Sequence, residues 1–148
     1  MAYPGGFSLV GDPSDTHIWS LPISSITVVR GDVLELTAGS TTWALCTSTS
    51  DNWTLKAVAQ EAASTSATVV KAILVDSNQF WVAETANDSA TADNGDTMIL
   101  TDANTVNNTG TNNTTVDAVF LQLAPSGAAA DKRIIGKFVG VFGKDINV

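Results

Sequence analysis

From Ile26 onward, short apolar stretches alternate with clusters of Gly, Ser, Thr, Asn and Asp at the spacing of an all-β barrel or sandwich. Residues 26–29 and 33–37 read as two strands rich in β-branched side chains, joined by an Arg30-Gly31-Asp32 turn. Residues 41–47 follow between the breakers Gly39-Ser40 and Ser50-Asp51-Asn52. Residues 53–59 alternate, with Trp53, Leu55, Ala57 and Ala59 on one face and Thr54, Lys56 and Val58 on the other, which predicts a strand. Leu55, Val58, Ala59, Ala62 and Ala63 also fit helical spacing, so a short helix or turn at 60–64 stays open. Residues 67–75 and 79–84 predict a hairpin through Asp76-Ser77-Asn78, because Asn and Asp tolerate left-handed backbone.

Further on, long polar loops at 85–96 and 101–114 flank a short strand at 97–100. Residues 115–123 are apolar on both faces, with Val116, Ala118 and Phe120 opposite Val119, Leu121 and Leu123. That pattern suits a strand closed inside a barrel or covered by a neighbour. The last strand is expected at 133–142, where Gly136, Gly140 and Gly143 let it bend or bulge. Eight or nine strands and no long helix predict an all-β fold, a small antiparallel β-barrel or sandwich over residues 26–148.

Residues 1–25 differ from the rest. Pro4, Pro13 and Pro22, with Gly5, Gly6 and Gly11, interrupt any regular ladder, so this segment is expected to be an extended N-terminal arm. Its apolar members Tyr3, Phe7, Ile18 and Trp19 are costly to leave in water. They either fold back on the domain or contact another chain, a capsid shell or a second protomer.

Charge narrows the partners. Of the formal −8, residues 1–130 contribute thirteen acidic side chains against three basic ones, whereas Lys132, Arg133, Lys137 and Lys144 outnumber Asp131 and Asp145 in the last eighteen residues. So few cations cannot neutralise a phosphate backbone, and direct nucleic-acid binding is not expected. No apolar run approaches a bilayer span and the N-terminus lacks a signal-peptide pattern, so synthesis in a cytoplasm and no membrane partner are expected. The five Asn-x-Ser/Thr triplets, at Asn52, Asn87, Asn107, Asn112 and Asn113, then follow from the Asn/Thr-rich loops rather than from glycosylation.

The residues give little support to catalysis. His17 is the only histidine and lies in the Pro/Gly-rich arm, where no rigid element would orient it as a base. Cys46 is the only cysteine, which excludes an intrachain disulfide and a thiolate metal cage. Its Trp43-Ala44-Leu45 context is that of a small buried hydrophobe. Asp88, Asp93, Asp96 and Asp102 share one region without the ligand alternation of an EF-hand, and are read as a solvated acidic rim. No catalytic residue, cofactor site or metal site is therefore expected. Trp19, Trp43, Trp53 and Trp81 allow a second idea, sugar stacking by a carbohydrate- or receptor-binding sandwich. Three of the four sit in strand patterns and are expected in the core.

The run Val29-Arg30-Gly31-Asp32-Val33-Leu34-Glu35-Leu36, then Trp43-Ala44-Leu45, then Lys56-Ala57-Val58-Ala59-Gln60-Glu61-Ala62-Ala63, followed by paired strands, resembles the small β-barrel decoration (cement) proteins of tailed bacteriophage heads. The resemblance covers roughly residues 26–84. It implies a structural virion protein without catalysis, made in the host cytoplasm and placed on the capsid exterior. It further implies the major capsid protein as partner, and homo-oligomers, with a trimer favoured over a dimer. Tyr3, Phe7, Ile18 and Trp19 are the expected capsid or inter-protomer contacts.

Overall fold

The computed structural model describes residues 5–11, 18–76, 78–109 and 118–140. They form twelve strands: β1 (Phe7–Leu9), β2 (Ile18–Pro22), β3 (Val33–Leu36), β4 (Ala44–Leu45), β5 (Leu55–Ala59), β6 (Val69–Leu74), β7 (Trp81–Thr85), β8 (Thr97–Met98), β9 (Leu100–Asp102), β10 (Thr105–Val106), β11 (Phe120–Pro125) and β12 (Arg133–Phe138). Two 3-10 turns at Thr91–Asp93 and Ala129–Asp131 are the helical elements among the described residues. No helix there is long and apolar enough to cross a membrane. The fold is all-β, as the alternation predicted.

The first sheet has the order β2-β6-β5-β3-β4 and is antiparallel throughout. Its ends meet where Ile23 bridges Trp43, with Trp43 N–H donating to Pro22 C=O at 2.8 Å, so the sheet rolls into a small barrel. The interior follows from period-two alternation. Leu21, Leu34, Ala57, Ala59, Val70 and Ala72 point to one side and pack with Ile23, Val28 and Trp43. Small alanines on the central strand β5 leave room for the Trp43 ring.

The other face of that sheet is also buried. Val33, Cys46, Val58 and Ile73 meet the second sheet, ordered β8-β11-β12-β7-β10-β9, with β1 added to β7. Phe7, Trp81, Phe120 and Phe138 fill the space between sheets, with edge-on rings at 5.2 Å for Phe120–Phe138 and 5.4 Å for Phe7–Phe120. Such offset and perpendicular contacts add to the area term, which for each fully buried side chain is about 1.5–3 kcal/mol. Because β5 and its neighbours bury both faces, their pattern reads as mixed rather than alternating.

Three expectations are corrected here. Residues 67–75 and 79–84 do not make a hairpin: β6 pairs with β2 and β5, while β7 pairs with β1, β10 and β12. Asp76 does make a turn, its side chain accepting from Asn78 N–H at 2.8 Å, but that turn carries the chain from one sheet to the other. No helix forms at 60–64, where Ala63 instead bridges Val28. The bulge lies not in β12 but opposite it in β11, between Gln122 and Ala124. Gly136 is needed for another reason: a Cβ there would lie 2.1 Å from Leu121 C=O and 2.5 Å from the Phe120 ring. Gly143, residues 115–117 and residues 141–142 lie outside the described residues.

Candidate functional site

The arm residues divide. Tyr3 and His17 lie outside the described residues. Phe7 is not available for docking: it is buried in β1, its ring 5.1 Å from Phe138, and Phe7 N–H donates to Gly31 C=O at 3.0 Å. The reason is packing. A Phe at the rim of the aromatic cluster recovers more by entering it than by staying in solvent. Within the segment read as an extended arm, β1 and β2 are both strands of the sheets.

Ile18 and Trp19 behave otherwise. They occupy β2, opposite Ile73 and Ala72 of β6, and remain 54% and 51% exposed. Because successive strand residues point to opposite faces, the two flank β2 on both sides. Pro22 follows them. It contributes its carbonyl to Trp43 and lacks an N–H to offer, which suits it to the outer edge of a strand. Of the tryptophans, Trp43 and Trp81 are core, whereas Trp19 and Trp53 are each about half exposed, so two rather than three lie inside.

The polar chemistry of the molecule is concentrated in a network that sequence patterning missed. Lys56 is fully buried, 3.7 Å from the Glu35 carboxylate, and its Nζ donates to the Asp51 and Thr54 carbonyls and to Thr54 Oγ1. Ser50 Oγ donates to Glu35 Oε1 at 2.9 Å and Thr54 Oγ1 to Glu35 Oε2 at 3.1 Å. Burial pushes the Lys56 amine down from its ordinary range, against the nearby Cys46 and Glu35 that hold it up. Burial first, then the Glu35 charge, pushes the Cys46 thiol up to about 12. A protonated thiol of that kind is a poor nucleophile, and Cys46 serves as a small buried group. Glu35 and Lys56 are direct cross-strand partners on β3 and β5, a pairing that becomes visible only once the strand register is known.

The acidic region is tied down in a similar way. Asn108, buried, accepts Asn87 N–H at 2.9 Å and donates to the Asn87 and Asp88 carbonyls. Asp102 accepts Asn104 N–H at 3.0 Å. Among the described residues no three His, Cys, Asp or Glu side chains converge as a metal cage.

Asp32 is the other buried acid. It accepts Val29 N–H at 2.8 Å and the Asn104 amide at 3.2 Å, fastening the Arg30-Gly31-Asp32 turn of one sheet to the β9–β10 loop of the other. The buried ionisable groups are thus engaged in holding the fold. The apolar side chains left in solvent are what the surface offers to a partner. Compared with protein-family models, curated proteins and solved structures, the chain matches none.

Proposed function

We propose that this protein is a structural virion protein that decorates and stabilises the outer surface of a tailed-phage capsid by binding the major capsid protein, without catalysis. The observation that carries the reading is the exposed Ile18–Trp19 pair on β2 of the small barrel. Removing the remaining half of Trp19 from water, roughly 100 Å², contributes about 2–3 kcal/mol per protomer. Repeated over many sites, binding to the assembled shell alone stabilises that state by mass action. The acidic charge of −8 keeps the protein away from packaged nucleic acid, and the Asn/Thr-rich loops suit an exterior surface.

The test is the copy number of the protein, against the main shell protein, in density-gradient-purified virions by quantitative mass spectrometry. Hundreds of copies in a fixed ratio are expected, and Trp19→Ala is expected to weaken shell binding tenfold or more. Absence from particles overturns the reading. Sugar binding is the second reading, favoured by the half-exposed Trp19 and Trp53. It requires glycan binding that is lost when one of these is replaced.

A further inference from the structure

The outward face of the second sheet carries an apolar patch that its strand alternation does not explain. On β7 the inward residues are Trp81 and Ala83, so Phe80 and Val82 face out. On β12 Ile135 and Lys137 face out, and on β11 Leu121 and Leu123 do. Val10, whose N–H donates to Phe80 C=O at 2.8 Å, extends the row beyond β1. Val10, Phe80 and Leu123 are exposed, and Val82, Leu121 and Ile135 are partly so. Registered pairs make these residues neighbours: Ile135 lies opposite Val82, Leu121 opposite Lys137, and one step past the Gly136–Trp81 pair sets Phe80 beside Lys137. Six apolar side chains on one solvent-facing sheet mark an interaction surface.

The charges within the patch identify its occupant. Lys137 sits at one end, with no carboxylate within ion-pair distance among the described residues. Glu84 sits at the other end on β7, opposite Arg133, and between them lies the Val82–Ile135 pair. We propose that this face is a homodimer interface in which a second copy packs sheet on sheet. The two-fold axis lies between the faces, crosses the strands at Val82–Ile135, and brings Lys137 over the partner subunit's Glu84 and Glu84 over the partner subunit's Lys137. The patch is then self-complementary, as an isologous contact must be. The axis crosses the strands nearly at right angles, which keeps the two sets of strands within the about 30° of aligned sheet packing. Five strands about 4.8 Å apart and about six residues long give a face of roughly 24 by 20 Å. Burying it on both copies removes on the order of 1,000 Å², the lower bound of a specific interface. The proposal goes beyond capsid binding and is tested on the free protein, so either reading can fail alone.

Sedimentation equilibrium of the full chain at micromolar concentration is expected to give twice the 15.4 kDa of one chain. A monomer, or a trimer, overturns the proposal. Ile135→Asp at the centre is expected to give monomers, with circular dichroism reporting whether the fold is kept. Should that variant not fold, the exposed charges decide. Lys137→Glu and Glu84→Lys are each expected to weaken dimerisation about tenfold, and the double swap to restore it. A dimer indifferent to both charge reversals, or single losses that the swap fails to repair, overturns the two-fold arrangement.

Discussion

Lys56 is an amine held out of water between two sheets, and its cost is offset only by the groups around it. Removing one partner of such a pair leaves an uncompensated buried charge. Glu35→Ala is therefore expected to destabilise the protein by about 3 kcal/mol or more in urea unfolding, well beyond a typical surface substitution. The loop at residues 46–54 should become accessible to protease at the same time, since Ser50 and Thr54 lose their acceptor. Cys46 gives a pH signature. Its folded pKa is raised, so the stability linked to its protonated form is complete below about pH 9 and is lost as pH climbs towards 12. At pH 10.5 the wild type should have lost about 2 kcal/mol that Cys46→Ala does not lose, measured as the difference between their unfolding free energies at pH 8 and pH 10.5. Lys56 pulls the other way. Its lowered pKa means its burial costs least at high pH, but it is present in both proteins and largely drops out of the comparison. The alternation of residues 53–59 was legible, and β5 runs through Leu55–Ala59. What it could not show was that Lys56, on the nominally polar face, points between two sheets. That requires a second sheet to be there.

At the scale of elements, β1 shows how a Pro/Gly-rich segment becomes a strand. Gly31 adopts φ +94°, and a Cβ there would lie 2.8 Å from Gly5 C=O, so the turn and the chain leading into β1 pass in backbone contact. Gly31→Ala is expected to strain the turn and push β1 from its place. The expected cost is about 2 kcal/mol or more, and faster amide exchange at Phe7 and Leu9 than at β5 checks it by hydrogen exchange. Prolines and glycines in residues 1–25 said correctly that no long ladder forms there. They could not say that three residues, Phe7–Leu9, find an edge on β7 and an aromatic cluster to enter. The Asp76–Asn78 turn was legible for the same local reason that the hairpin was not. Turn chemistry acts over two residues, whereas the choice of pairing partner depends on which strand edges stand nearby.

At the scale of the whole molecule, the two surfaces answer different questions. Ile18 and Trp19 lie on the barrel, and the patch around Ile135 and Val82 lies on the second sheet, so a dimer formed through the latter leaves the former open. A shell would then meet two copies of β2 held in one particle, and the paired contacts would bind more tightly than either alone wherever the geometry permits both. The expectation is that Ile135→Asp reduces shell binding in parallel with its loss of dimer, while Trp19→Ala reduces shell binding and leaves the dimer intact. The two readouts separate the surfaces.

The sequence by itself determined that the chain is all-β, that its charge is acidic with a basic end, and that β11 is apolar on both faces. Each follows from composition or from a period of two, which any extended segment carries within itself. Only the tertiary structure decided that Phe7 is core while Ile18 and Trp19 stay in solvent, that Lys56 meets Glu35, and that β6 and β7 belong to different sheets. These depend on strand order and register, and contacts between residues far apart in the chain are set by which faces can be buried together, a property of the assembled sheets and not of any one segment.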